Sequence, residues 1–140
     1  RILDKYAVKM GGGLNHRAGL FDTIMIKDNH IAMARGIEAA IEQALAHNPN
    51  GLDIIVECDT PRQVEAALHY PVTRLLLDNM DISTLKQAVQ MAGGKLPLEA
   101  SGGVNLETVR AIAETGVDYI SIGAISHSAV AVDIGLDITS

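Results

Sequence analysis

Short apolar runs alternate with amphipathic stretches about five times along this chain, at a period of roughly twenty-odd residues, and no other feature narrows its fold so far. Thr23 to Ile26, Leu52 to Val56, Arg74 to Leu77, Leu96 to Ala100 and Tyr119 to Ile122 read as strands. The first of these (TIMI) has the apolar, partly β-branched character of a strand buried on both faces. Between strands, Ile37, Ala40, Ile41, Ala44 and Leu45 line one face of a helix that ends in Asn-Pro-Asn-Gly. Thr60-Pro61 opens a second helix, with Thr60 as N-cap, that runs to about Tyr70, where Pro71 prevents continuation. Residues 81 to 92 place Ile82, Leu85, Ala88, Val89 and Met91 at helical spacing before Gly93-Gly94, and Leu106 to Thr115 precedes Gly116. Elements in this order form βαβ units around a parallel sheet. The tail AVAVDIGLDI alternates in part, as a further strand would.

Two architectures are built from such units. The fingerprint G-x-G-x-x-G of a dinucleotide-binding open sheet is absent, and polar residues stand at the end of every strand rather than at one switch point, which favours an α/β barrel of the (β/α) type. An intact eight-unit barrel needs about 200 residues or more. This chain has 140 and would supply most of a barrel, incomplete at its N-terminal side. RILDKYAVKM, with Ile2, Leu3, Tyr6 and Ala7 at helical spacing and nothing to cap its first turn, adds to the expectation of a fragment formed by one α/β-barrel domain over 1–140. Hydrophobic residues make up 48% of the chain and aromatic ones only 3%, with no Trp, so the core must be aliphatic. The single cysteine, Cys58, excludes an internal disulfide and a C-x-x-C metal site, and suits a reducing, cytoplasmic setting. There is no signal-peptide pattern and no apolar run long enough to span a bilayer, so no membrane partner is expected. A net charge of −6 argues against a nucleic-acid partner, since phosphate contacts need Lys and Arg.

The residues that carry chemistry share a position. Lys27, Glu57, Asp78, Ser101 to Gly103 and Gly123 each follow a predicted strand, and in parallel α/β folds those ends converge on one rim. A pocket there would combine cations (His16, Arg17, Lys27), suited to carboxylate or phosphate groups, with carboxylates (Glu57, Asp78), suited to Mg²⁺ or sugar hydroxyls. Small turns ahead of helix starts, Ser101-Gly102-Gly103 and Gly123-Ala124, suit a phosphate. A phosphorylated sugar with an anionic partner fits the combination.

GGGLNHRAGLFDTIMIKDNHI, followed in order by VECDT, LLLDNM, EASGGV and ISIGAISHSA, resembles the quinolinate phosphoribosyltransferases, also called nicotinate-nucleotide pyrophosphorylases (carboxylating). The likeness covers essentially the whole chain. It implies a parallel (β/α) barrel of the seven-stranded phosphoribosyltransferase type behind an N-terminal sandwich domain. It also implies an enzyme that joins quinolinate to phosphoribosyl pyrophosphate with Mg²⁺, giving nicotinate mononucleotide, pyrophosphate and carbon dioxide, and acting as at least a homodimer. By the same resemblance His16, Arg17 and Lys27 bind the quinolinate carboxylates, with Lys27 near the pyrophosphate as well. Glu57 and Asp78 meet the ribose hydroxyls and Mg²⁺, and Ser101, Gly102, Gly103 and Gly123 hold the 5′-phosphate. Family members carry a Thr-Arg-Lys-Thr stretch before the RILDKY region and an N-terminal-domain arginine that reaches the neighbouring subunit's site; neither is in this sequence.

Each assignment has a plainer competitor. Arg17 could be a surface charge, His16 a loop histidine, and Gly102-Gly103 only a tight βα turn. Glu57 and Asp78 could cap helices, although Asp59 and Asp81 are better placed to do so. Asp28, Asn29 and His30 read as turn formers or as supports for their neighbours, Cys58 as a small buried residue, and His47, His69 and His127 as structural. Two other functions stay open: a Schiff-base aldolase-type barrel using Lys27, and a non-catalytic phosphate-binding barrel fragment. A paralogous family linked to molybdenum transport shares the glycine and His-Arg segment, but the Lys27-Asp28-Asn29-His30 tetrad favours the quinolinate enzymes.

Overall fold

Successive side chains of a strand point to opposite faces, so the parity of each apolar residue decides whether it meets the helices or the barrel interior. The computed structural model describes residues 2–138. Five strands, β1 (Thr23–Ile26), β2 (Asp53–Cys58), β3 (Arg74–Asp78), β4 (Leu98–Ser101) and β5 (Tyr119–Ile120), form one sheet in sequential order with every neighbour parallel. The helices are α1 (Ile2–Met10), α2 (Asp28–Ala34), α3 (Ile37–Ala46), α4 (Pro61–Ala67), α5 (Ile82–Ala92), α6 (Val109–Ala113) and α7 (Ala124–His127). The result is the expected portion of a parallel (β/α) barrel, with β1 and β5 as its two edges among the described residues.

Ile54, Val56, Cys58, Leu75, Leu77, Leu98 and Ala100 share one parity and are buried. They form a single core with Ile37, Ala40 and Ile41 of α3, Val64 and Ala67 of α4, Leu85, Ala88 and Ala92 of α5, and Ile112 of α6. Burying each such Leu or Ile is worth about 1.5–3 kcal/mol. No aromatic residue belongs to the buried set, as the composition required.

Thr60 caps α4 as expected: its Oγ1 accepts from Gln63 N–H, while Gln63 Oε1 accepts from the N–H groups of Asp59 and Thr60. Asp81 caps α5 by accepting from Thr84 N–H at 2.7 Å. Asp59, by contrast, caps nothing; Thr60 takes that position and leaves the Asp59 carboxylate free for the sheet's inner rim. Several elements depart from the sequence reading. The Lys27-Asp28-Asn29-His30 tetrad opens a helix, α2, because Lys27 N–H finds His30 Nδ1 at 2.9 Å, and the turn at Arg35 (φ 64°) then separates α2 from α3. β2 runs on to Cys58, so Glu57 lies within the strand rather than after it. α4 stops at Ala67, and α6 starts only at Val109 because the Asn105 side chain holds Glu107 and Thr108 in a preceding turn. The tail 129–138 forms no strand; nothing in the described chain pairs with it, and a lone strand leaves its backbone groups unsatisfied.

Two outcomes follow from this packing. Thr60→Ala should lower the unfolding free energy by about 1 kcal/mol in urea titration, the usual worth of an N-cap. The Cys58 thiol is 0% exposed, and burial followed by the charges of Asp59 and Glu57 pushes its pKa up to about 12. It should therefore resist a thiol reagent at pH 8 in the native state and react promptly once urea unfolds the chain; equal rates in both states would contradict the packing.

Candidate active site

The inner-face residues carry the other parity, and register alone groups them. Met25 pairs with Ile55, so two residues later Lys27 comes level with Glu57. Its ammonium Nζ lies 2.9 Å from Glu57 Oε2, with the Lys27 side chain 47% exposed and that of Glu57 only 10%. Cys58 pairs with Leu77, so Asp59 comes level with Asp78, whose own partner is Ser101. Glu57, Asp59 and Asp78 thus present carboxylate oxygens within 4.8 Å of one another.

Like charges so close resist full ionisation. Desolvation, then the charges of Glu57, Asp78 and Asp28, hold the Asp59 carboxyl above its usual range. An acid whose pKa is raised by folding binds its proton more tightly in the native state; it costs stability once ionised, and that cost is relieved as pH falls toward the raised value. A hard divalent cation would also relieve it. Mg²⁺ takes oxygen donors, usually one or two carboxylates completed by water and phosphate, and this group of carboxylates fits that need.

Beside them, β4 ends in Ser101 and the chain turns through Gly102 (φ +90°) and Gly103 (φ +60°). Both glycines are in the left-handed region that a side chain disfavours, and Gly103 has open space where a Cβ would stand. Gly123 immediately precedes α7, and its α-carbon faces the His127 ring.

His16 and Arg17 lie deeper on the same inner face. Lys5 of α1 donates to the carbonyls of both, at 2.8 and 2.9 Å, and so ties the loop down. Arg17 Nη1 reaches Thr23 O at the start of β1, four residues or roughly 13 Å of strand from Lys27. The cations expected as one group are therefore divided between the rim and a cavity of about 280 Å³ lined by His16, Arg17, Asp22, Asp53, Thr73 and Arg74. Arg17 N–H donates to His16 Nδ1 at 2.8 Å, which makes Nδ1 the acceptor and puts the neutral ring's proton on Nε2. That nitrogen points at Glu99 Oε1, 3.6 Å away.

Glu99 is a residue that the strand-end pattern does not find. It is 2% exposed, level with Leu76 and Tyr119, and accepts from Arg74 Nη1 at 2.8 Å and from Ser121 Oγ. Arg74 in turn stacks on the Tyr119 ring, 4.0 Å from its centroid. A signal existed in the sequence: Glu99 stands two residues before Ser101 and shares its face. Glu99→Ala would leave the Arg74 guanidinium facing a void, so unfolding in urea should show a loss of about 3 kcal/mol or more. A loss under about 1 kcal/mol would mean that the network carries little stability.

Comparison with known proteins gives these residues a context. A family model described as the quinolinate phosphoribosyl transferase C-terminal domain matches residues 1–137. The chain is 46% identical, over 156 aligned positions covering 99% of it and 44% of the relative, to a mitochondrial quinolinate phosphoribosyltransferase (decarboxylating) of Nicotiana glauca. Among solved structures, the nicotinate-nucleotide pyrophosphorylase of Ehrlichia chaffeensis superposes with a TM-score of 0.84 at 52% identity, over 91% of this chain and 46% of that one. NadC from Streptococcus pyogenes gives 0.87 at 38% identity, over 91% and 45%. The chain thus spans less than half the length of the relatives it matches. By the extent of the family match and these identities, the chain belongs to the quinolinate phosphoribosyltransferase family and corresponds to its C-terminal domain.

Proposed function

We propose that the protein carrying this chain transfers the phosphoribosyl group of phosphoribosyl pyrophosphate to quinolinate and decarboxylates the product, yielding nicotinate mononucleotide, pyrophosphate and carbon dioxide for NAD biosynthesis. The observation that carries this reading is the rim on which a paired lysine, three carboxylates and a left-handed glycine turn stand side by side. Glu57 and Asp78 hold the ribose hydroxyls, and their charge stabilises the positive charge that develops on the ribose as its bond to pyrophosphate breaks and the bond to the pyridine nitrogen forms. The N–H groups of the Ser101-Gly102-Gly103 turn, with Gly123, bind the 5′-phosphate. Arg17, with His16 beside it in the cavity wall, binds carboxylate from below, and Lys27 binds it from the rim. As the ring loses its carboxylate, the electron pair left on carbon faces this cationic side and is then protonated. Glu57, Asp59 and Asp78 are the residues that would hold Mg²⁺, which would neutralise charge on the pyrophosphate.

Among the described residues no helix is long and apolar enough to cross a membrane. The single cysteine, Cys58, suits a reducing compartment and supports a cytoplasmic setting. At least a homodimer is the expected assembly, and a second subunit covers the exposed Ile2, Leu3, Tyr6 and Met10 of α1. An aldolase-type role for Lys27 is less well supported, since that chemistry asks for an amine in an apolar setting and Lys27 is half-exposed and paired with Glu57.

Isothermal titration of the full-length protein with quinolinate, and separately with phosphoribosyl pyrophosphate plus Mg²⁺, should give saturable binding of both. Lys27→Ala should weaken quinolinate, and Glu57→Ala phosphoribosyl pyrophosphate, by about tenfold or more, equivalent to about 1.4 kcal/mol. Failure of the folded wild-type protein to bind phosphoribosyl pyrophosphate would overturn the assignment.

A further inference from the structure

The carboxylate cluster and the glycine turn stand on different strands, yet one residue touches both. Asn79 follows the last residue of β3 with φ 52°, one of two non-glycine residues with positive φ among those described. Asparagine tolerates this left-handed backbone better than most side chains. The conformation aims its groups in two directions. Its backbone N–H donates to Ser101 O at 2.9 Å, extending the pairing of β3 with β4 by one bond past the strand end. Its side-chain Nδ2 donates to Asp78 Oδ2 at 2.6 Å, a charge-assisted bond that fixes one carboxylate oxygen. Its Oδ1 lies so close over Gly102 that a Cβ there would collide with it. Gly102 is therefore glycine for two reasons, its φ of +90° and the amide resting on it.

We infer that Asn79 is the positioning residue that locks the Asp78 carboxylate to the Ser101-Gly102 turn, so that ribose-side and phosphate-side contacts are presented at a fixed spacing. The inference rests on the phosphoribosyltransferase reading and deepens it. A phosphorylated ribose spans both groups at once, whereas quinolinate needs neither. Removing the amide should therefore act on one substrate and spare the other. Preorganisation is the physical gain: a carboxylate and a phosphate cradle already held in place do not have to be ordered when the ligand arrives.

Three substitutions separate backbone from side chain. Asn79→Gly keeps the left-handed conformation and the bond to Ser101 O and deletes only the amide. Asn79→Asp keeps the shape but replaces the donor with a like charge against Asp78. Gly102→Ala drives a methyl group into the amide from the other side. In the full-length protein, Asn79→Gly should keep its thermal midpoint within a few degrees and its quinolinate affinity within about twofold, while weakening Mg²⁺-phosphoribosyl pyrophosphate by about tenfold. Asn79→Asp should weaken it further. Gly102→Ala should show the same selective defect, and the double variant Asn79→Gly with Gly102→Ala should fall short of the sum of the two, because both act through one contact. If Asn79→Gly binds phosphoribosyl pyrophosphate like the wild type, or loses both ligands equally with a large drop in midpoint, the positioning role is wrong. Those outcomes leave the enzyme assignment intact so long as the wild type binds both substrates; a wild type that binds no phosphoribosyl pyrophosphate sinks the assignment and the role of Asn79 together.

Discussion

Because neighbouring strands run parallel and in register, a residue one position past the end of one strand comes level with a residue still inside the next, and chemistry is assembled row by row rather than by special contacts. Lys27 meets Glu57, and Asp59 meets Asp78, for this reason alone. The same register makes the helix-facing parity almost purely aliphatic. A one-residue slip would turn the carboxylates into the helix layer and the Leu and Ile side chains into the interior. The hydrophobic core thus holds the site in place, since any shift that misplaced the charges would also strip the core of its burial.

The inner face is organised by charge in a graded way. At the rim three carboxylates stand together and Lys27 pairs with only one of them, Glu57; desolvation, followed by the neighbouring carboxylate charges, raises the Asp59 carboxyl. Deeper in, Glu99 is matched by hydrogen bonds from Arg74 and Ser121, so a nearly water-free carboxylate is tolerated. The rim carries a surplus of negative charge that a cation or substrate can complete, whereas the cavity below it is lined by His16, Arg17 and Arg74 beside Asp22 and Asp53. The loop bearing His16 and Arg17 is held between the two levels by Lys5 of α1, which gives an otherwise exposed helix a defined attachment.

Much of this was legible in the chain. The five strands, the aliphatic core, the Thr60 and Asp81 caps and the strand-end positions of Lys27, Asp78 and Ser101 follow from local signals: β-branched runs, N-cap side chains and glycines past helix ends. Periodicity fails as a guide where a local hydrogen bond competes with it. His30 turned a charged tetrad into a helix, and Asn105 delayed α6. The tail's partial alternation was a strand signal without a partner, and alternation cannot supply the hydrogen bonds that only a neighbouring strand provides.

The repeating βαβ order, the side of each strand that must be buried, and the residue types gathered at the strand ends depend on spacing within a few residues, and the order of amino acids dictates them directly. Which charges become partners is settled by how the strands pack. Glu99 finding Arg74, Asp59 joining Glu57 and Asp78 instead of capping α4, His16 and Arg17 lying below the rim rather than on it, and Asn79 bridging two strand ends all join residues apart in the sequence or fixed by backbone handedness. Register and φ bring those groups together. Neither is encoded in composition or in any single window of the chain.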